Sequence, residues 1–398
     1  MLDQPFTLPC GQTIPNRIVK SAMSEYMSDQ SGIPHEGFAR LYRRWAEGGV
    51  GINISGNVMI DRRSREEHRN TIIEDRRHLE ELKRWATAGQ VNGTQLWIQV
   101  NHPGRQARGH ASTRIVSASD IQLPFLQAVF KKPEPLTEDG IQDIITRFGN
   151  TAEIVKDAGF SGVQIHSAHG YLSSQFLSPI TNRRTDQWGG SIENRARFLL
   201  SIYAEIRNRV GSSFPIGVKI NSADFQRGGF NEADSLIVID MLSKVGIDLI
   251  EISGGTYENP AMVGTAVKES TKKREAFFAD FIIKARQRTS TPLLLTGGFR
   301  TKTVMEDALQ NNELDFVGLA RPFAVNPDLP NQLMNGTIDK LDSEELSTGI
   351  KFIDGIAVLD VYWYADQMKR MSKGKEPDPN LSTWGTFFSN TLANITRR

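Results

Sequence analysis

The chain is short of cysteine, of one-sided charge and of long apolar runs. Of its 398 residues one is a cysteine, Cys10. That excludes an intramolecular disulfide framework and a cysteine-clustered zinc or iron–sulfur site. Lys and Arg number 47 against 46 Asp and Glu, a formal net charge of +1. So balanced a charge argues against a protein that lives on phosphate-backbone contacts, and no nucleic-acid partner is expected. One bound phosphate in one pocket remains compatible with it. No apolar run approaches the roughly 20 residues that cross a bilayer, so no membrane partner is expected. Met1-Leu2-Asp3-Gln4-Pro5 has neither the basic start nor the apolar stretch of a secretory signal. A lone cysteine and no export signal point to a cytoplasmic location. Short repeats, low-complexity segments and long charge blocks are also absent.

What is present is 39% hydrophobic and 23% charged residues, enough for a sizeable core. Short apolar runs alternate with helix-length amphipathic runs. Strand-like segments are predicted at 17–23, 51–55, 94–100, 162–166, 215–220, 247–252, 292–296 and 315–320. Helices are predicted near 36–47, 77–91, 137–159, 191–210, 232–245, 275–288 and 302–311. The third has clear punctuation, with Thr137 as N-cap, acidic Glu138 and Asp139 in its first turn, and Gly159 as a stop. Its residues Ile141, Ile145, Phe148, Ala152 and Val155 share one face. Eight strand–helix alternations with parallel-type connections favour an α/β fold, a single closed (β/α)8 TIM barrel, over an open doubly wound sheet. Long loops follow strand three (101–136) and strand six (253–274). Residues 1–335 make the barrel, and 336–398 a C-terminal helical extension. Its Tyr362, Trp363, Tyr364 and Trp384 are expected to cap the barrel bottom or to reach a neighbouring subunit in a homo-oligomer.

Barrels of this kind place function at the C-terminal ends of their strands. After strand four comes His166-Ser167-Ala168-His169-Gly170-Tyr171. Two histidines and a tyrosine on one loop can be packing groups or metal ligands, with His102 the one further candidate. They can equally be paired donors for an anionic oxygen with Tyr171 as a proton donor. After strands seven and eight come Gly297-Gly298 and Ala320-Arg321, where open backbone N–H groups and a guanidinium suit a phosphate. Gln99 and Lys219 interrupt apolar strands near their ends. They either face outward and snorkel or meet a polar ligand edge. Ser21 and Ser24 at the end of strand one have the same choice.

The stretch Gly162–Phe198, GVQIHSAHGYLSSQFLSPITNRRTDQWGGSIENRARF, resembles the old yellow enzymes, FMN-dependent ene-reductases of the NADH:flavin oxidoreductase type. NRIVKSAMSEY, WIQVNHPGR and GLARPFAVNPDLP match the same family in order. The resemblance covers roughly residues 3–335. It implies non-covalent FMN, with NADPH or NADH as electron donor. The substrate class it implies is an activated alkene, an α,β-unsaturated carbonyl or nitro compound. His166 and His169 correspond to the pair that binds the substrate carbonyl oxygen, and Tyr171 to the proton donor. Ser21, Ala22, Met23 and Ser24 correspond to the segment against the flavin, and Gln99 to the glutamine on its pyrimidine ring. Gly297, Gly298, Ala320 and Arg321 correspond to the phosphate cradle. Asn57 falls beside the flavin, and Tyr26 resembles a substrate-pocket tyrosine of one subgroup. Lys219 stands where many members have Arg, so the planar fork of donors is lost. The implied reaction is ping-pong. The nicotinamide reduces the flavin and leaves, and the alkene then takes hydride from flavin N5. Two other readings of the residues stand beside it. One is a metal-dependent lyase or aldolase using His166 and His169. The other is a non-catalytic barrel that binds a phosphorylated ligand.

Overall fold

The computed structural model describes residues 1–259, 275, 278–341, 346, 349–350, 358–386 and 388. Eight strands form a closed barrel. They are β1 (Ile18–Lys20), β2 (Ile52–Met59), β3 (Gln95–Asn101), β4 (Gly162–Ser167), β5 (Ile216–Asn221), β6 (Leu249–Ser253), β7 (Leu293–Thr296) and β8 (Phe316–Leu319). Each neighbouring pair is parallel, and β8 closes on β1 through Gly318 opposite Val19. The outer ring carries α1 (Glu36–Glu47), α2 (Leu79–Ala88), α3 (Glu138–Asp157), α4 (Ile192–Val210), α5 (Glu232–Lys244), α6 (Ala279–Arg286) and α7 (Lys302–Gln310). The single (β/α)8 barrel is therefore the fold. Among the described residues no helix is long and apolar enough to cross a membrane.

Local chemistry sets the boundaries. The Thr137 hydroxyl accepts from Gly140 N–H at the start of α3, and Ser191 does the same for Asn194 at the start of α4. On α3 the expected face, Ile141 to Val155, is buried. Several boundaries differ from the expected ones: β1 is four residues shorter, α2 and α6 are each five residues or more shorter, and β2 is longer at its end. The second strand runs on to Met59 with a shift in pairing between Ile54 and Asn57. Gly56, just past the predicted end at residue 55, sits in this bulge with Glu25 in the side-chain space. The Glu25 carboxylate accepts from Gly56 N–H at 2.8 Å, and a Cβ there would lie 2.1 Å from Glu25 Oε2. The bulge carries Asn57 to the barrel mouth.

Inside the barrel, side chains alternate with period two. The lower layer is apolar: Val19, Ile52, Ile54, Trp97, Leu249, Leu294 and Phe316 are fully buried together. Trp97 fits because its neighbours lack side chains; a Cβ on Gly162 would come within 2.6 Å of the indole. A hairpin pairing Phe6–Thr7 with Thr13–Ile14 closes the floor, and Leu8 and Ile14 join the apolar layer. One inward step towards the mouth, the layer turns polar.

The C-terminal extension is placed differently from the expected barrel bottom. Helix α8 (Val358–Ser372) lies on α1, where Arg40 donates to Ser372 O at 2.8 Å. The ring of Tyr362 meets Tyr26 at 5.6 Å, just beyond the C-terminal end of β1. Trp363 is wholly buried and donates to Leu381 O at 2.9 Å. Tyr362 thus packs at the mouth, because the helix that carries it lies against α1 in the outer ring. Of the expected 253–274 loop, residues 260–274 lie outside the described residues.

Candidate active site

The polar layer stands one inward step above the apolar one: Ser21, Gln99, Gln164, Lys219, Glu251 and Thr296, with the bare Gly318 on β8. Gln99 Nε2 donates to Gln164 Oε1 at 2.7 Å, and Gln164 Nε2 donates to Glu251 Oε2 at 2.6 Å. Lys219 Nζ lies 2.9 Å from Glu251 Oε1, and the same oxygen accepts from Thr296 Oγ1 at 2.7 Å. Thr296 in turn shares a 2.7 Å hydrogen bond with Ser21 Oγ. Gln99 and Lys219 are 2% and 4% exposed, so they neither face outward nor snorkel.

One step further up the same strands stand His166, Asn221 and Ser253. His166 Nδ1 accepts from Ala168 N–H at 3.3 Å, which leaves the proton of the neutral ring on Nε2. His169 Nε2 is 2.8 Å from Ser253 Oγ, and His169 N–H donates to Asn221 Oδ1 at 3.2 Å. In the tautomer in which Ser253 Oγ–H donates to Nε2, the His169 proton is on Nδ1. His169 and Gly170 both take positive φ, +58° and +78°, which turns the chain sharply and sets the ring of His169 5.1 Å from that of His166. Burial holds both imidazoles well below their ordinary pKa. The neighbouring ring lowers His166 further, and the Lys219 charge lowers both. Each ring is therefore a neutral donor.

Tyr171 is 5% exposed, with its ring 4.6 Å from that of His166. Burial first, then the Glu66 charge, raise its phenol well above the usual range, so it holds its proton. Its Oη lies 2.8 Å from Glu66 Oε1, 2.9 Å from Tyr257 Oη and 3.4 Å from Asn57 Nδ2. Asn57 also donates to Glu66 Oε2 at 2.6 Å, and Ser24 Oγ donates to Asn57 Oδ1 at 3.0 Å. Tyr257 is held over the mouth by the next residue, whose carboxylate pairs with buried Arg105 (Arg105–Glu258, 2.5 Å).

Two groups thus gather the candidates. Ser24, Asn57, Tyr171, His166 and His169 form one, and Ser21, Gln99 and Lys219 the other. Ala22 packs against the apolar layer, and Met23 against the main core. Tyr26 stands at the wall with Tyr362. Gly297 and Gly298 take φ of +118° and +90°, beside the end of β8. Arg321 is apart from both groups, its side chain 44% exposed and 3.9 Å from Asp360. The N–H groups of Arg300 and Thr301 at the start of α7 are taken by Glu275, at 2.7 and 2.8 Å. His102 does not join the histidine pair. Its Nδ1 accepts from Gly104 N–H, and no cluster of three or more metal-ligating side chains occurs among the described residues. Gln164, Glu251, Glu66 and Tyr257 are site residues that the sequence reading missed. The first two carried a usable signal, a polar residue inside an apolar strand at the inward parity of Gln99 and Lys219. Glu66 and Tyr257 lie on loops and carried none.

The NADH:flavin oxidoreductase / NADH oxidase family model matches residues 1–340. This chain belongs to that family. It is 40% identical over 355 residues to the NADH-dependent flavin oxidoreductase iliE of Hypocrea jecorina (strain QM6a), covering 83% of this chain and 88% of that protein. It is 32% identical over 331 residues to an NADPH dehydrogenase of Geobacillus sp. (strain WCH70), covering 83% of this chain and 92% of that one. The structure of the old yellow enzyme homologue from Zymomonas mobilis superposes with a TM-score of 0.74 at 23% identity, over 89% of this chain and 98% of that one, a likeness of fold. The protein is thus an NAD(P)H-dependent flavin oxidoreductase with FMN as cofactor. Its residues fit that group. Gln99, Lys219 and Ser21 offer an amide, an ammonium and a hydroxyl to the polar edge of a flavin ring. Gly297, Gly298 and Arg321 offer backbone and guanidinium donors to a phosphate. At Gly318 a Cβ would lie 2.1 Å from Thr296 Oγ1 and 2.8 Å from Ser21 Oγ, so glycine there leaves room for the bonded Ser21–Thr296 pair of the polar layer.

Proposed function

We propose that this oxidoreductase reduces the C=C bond of α,β-unsaturated carbonyl or nitro compounds in a ping-pong cycle, with Tyr171 as the proton donor. The observation that carries the reading is the placement of a neutral, buried phenol beside two neutral imidazole donors on one loop. When bound, FMN supplies the hydride that reaches the alkene β-carbon. His166 Nε2–H and His169 Nδ1–H hold the substrate oxygen and stabilise the charge that grows on it, an effect enlarged by their burial. Tyr171 gives its proton to the α-carbon on the other side of the bond. Gln99 and Lys219 orient the cofactor ring, and Gly297, Gly298, Ala320 and Arg321 hold its phosphate. Tyr26 and Tyr362 wall the substrate side. NADH or NADPH and the alkene use the same mouth in turn, because the hairpin closes the other end.

The test is the visible spectrum under anaerobic conditions. Bands of oxidised flavin should bleach with NADH or NADPH and return on adding 2-cyclohexenone. In Tyr171→Phe the bleaching should keep its rate, and the return should slow roughly 10²-fold or more. Equal rates of return in both proteins would remove Tyr171 from the reaction. A wild-type flavin that bleaches but is not reoxidised by the enone would refute the substrate class.

A further inference from the structure

The wall of the mouth on the α8 side holds two charged groups that the reaction does not use. Glu67 follows β2 and Arg108 follows β3. Glu67 is 6% exposed. Its Oε1 and the Nε of Arg108 are both buried, and no group among the described residues bonds either atom. A buried acceptor and a buried donor left open are each costly. Burial aside, Glu67 is the group whose charge acts most strongly on Arg108 and on Tyr26, so the three stand together. The guanidinium charge also reaches the phenols of Tyr257 and Tyr362. Tyr26 takes φ of +54°, the left-handed region that favours glycine, and its ring meets that of Tyr362 at 5.6 Å. The two open atoms therefore border the entrance that these tyrosines wall.

Charge decides what fits there. A carboxylate would suit Arg108, but Glu66 and Glu67 act on the same guanidinium and would repel it. An ammonium ion would suit Glu67 but would face Arg108. Lys369 on α8 brings a further positive charge, shared with Asp366 at 2.9 Å. A neutral group with an acceptor and a donor side by side meets both open atoms and adds no charge. An amide is such a group. Its C=O takes the Arg108 N–H, and its N–H goes to Glu67, whose carboxyl group keeps an acceptor oxygen in either protonation state. A hydroxyl puts donor and acceptor on one atom and is the nearest competitor.

We propose that Arg108 and Glu67 form a substrate subsite at the wall of the mouth, which binds a neutral amide remote from the reacting C=C bond. It rests on the ene-reductase reading for the bond that is reduced, not for the binding itself.

The experiment uses the FMN-loaded, oxidised enzyme without NADH, so that binding is read alone. Isothermal titration calorimetry gives Kd for 2-cyclohexenones that carry, at C4 or at C5, a –CH2CONH2, –CH2CO2−, –CH2CH2NH3+, –CH2CH2OH or isobutyl side chain. At one of the two positions the amide should bind at least tenfold more tightly than the isobutyl compound of the same shape, and more tightly than the other three. In Arg108→Met the ratio of amide to isobutyl should fall to within about twofold, whereas Glu67→Gln, which keeps an acceptor oxygen, should keep most of it. A ratio taken within one protein is insensitive to a general loosening of the fold, and the wild-type series stands even if Arg108→Met does not fold. A wild-type ratio below about threefold at both positions would mean that solvent serves both atoms, and the subsite would be refuted. A ratio that survives Arg108→Met would place the amide elsewhere and refute it equally. Tightest binding of the carboxylate, the ammonium or the hydroxyl compound would overturn the amide class. Adding NADH separates the two readings: an amide enone that binds selectively but does not reoxidise reduced flavin refutes the ene-reductase reading and leaves the subsite, and reduction of all five compounds without selectivity does the reverse.

Discussion

The Lys219–Glu251 pair offers the sharpest test of the polar layer. Both side chains are at least 95% buried, and the charges are 2.9 Å apart. At an effective dielectric of about 20 that separation corresponds to about 6 kcal/mol of attraction. Much of it offsets the cost of taking both groups out of water, and removing one partner of such a pair costs about 3–5 kcal/mol. Glu251→Gln keeps the shape and removes the charge. It also sets an amide nitrogen against Gln164 Nε2, which now donates to Glu251 Oε2. Gln164 can turn over to accept, but it then loses the bond from Gln99 Nε2, so that side chain must turn too. An unfolding entropy of about 2.1 cal/mol/K per residue gives about 0.8 kcal/mol/K for 398 residues, or about 1.2 °C per kcal/mol. The thermal midpoint of flavin-free Glu251→Gln should therefore fall by about 4–6 °C, read by far-ultraviolet circular dichroism. Lys219→Met together with Glu251→Leu should recover at least half of the loss, because no unpaired charge remains buried. A midpoint within about 1 °C of wild type for Glu251→Gln, or a double variant less stable than the single one, would show that the pair is not the electrostatic keystone described here.

The histidine at the end of β3 gives a pH test. Burial pushes His102 down to about 4 from its ordinary 6.5, so between those values the unfolded chain binds a proton that the folded one does not. Stability from this group rises as pH climbs from about 4 to about 6.5, by about 3 kcal/mol, and is lost as pH falls back. His102→Asn, which keeps an acceptor for Gly104 N–H, should flatten that part of the curve in urea midpoints at pH 4.5 and pH 7; unchanged curvature would contradict the assignment. Gly162→Ala should destabilise the barrel by about 1–3 kcal/mol through its clash with Trp97, and adding Trp97→Leu should return part of it in denaturant titrations. Arg321→Ala should lower the FMN retained through dialysis, and full retention would take Arg321 out of the phosphate site.

Much of this molecule is legible in its sequence because barrel strands and helices announce themselves by period. The α3 segment shows a cap, an apolar face and a glycine stop, and it forms as read. The histidine–tyrosine loop is legible for a different reason, since its ring density follows a strand end. β2 was read as ending at residue 55, because the group that holds its bulge, the Glu25 carboxylate, lies 31 residues from Gly56. Glu251 was overlooked although its parity matches Lys219 on the neighbouring strand; only the register, Glu251 opposite Lys219, makes them partners. Glu66 could not be read at all. Its meaning comes from loops after β2, β4 and β6 meeting over the mouth, which no local pattern records. The extension was expected at the barrel bottom or against a neighbouring subunit because aromatic density says that a segment is buried, not where.

That extension also has a consequence for how the molecule is made. All eight strands have been synthesised by Leu319, yet the ring of Tyr362 that backs Tyr26 comes 43 residues later. A growing chain can therefore have every strand of its barrel while still lacking one wall of its mouth. Synthesis runs from the N-terminus, so the Tyr362 side of the pocket is added only after the last strand. Substitutions in α8 can reshape what enters the mouth without touching a strand, a histidine or the cofactor floor. For a barrel whose histidine–tyrosine loop is tightly packed, α8 is a freer place for new selectivity to arise.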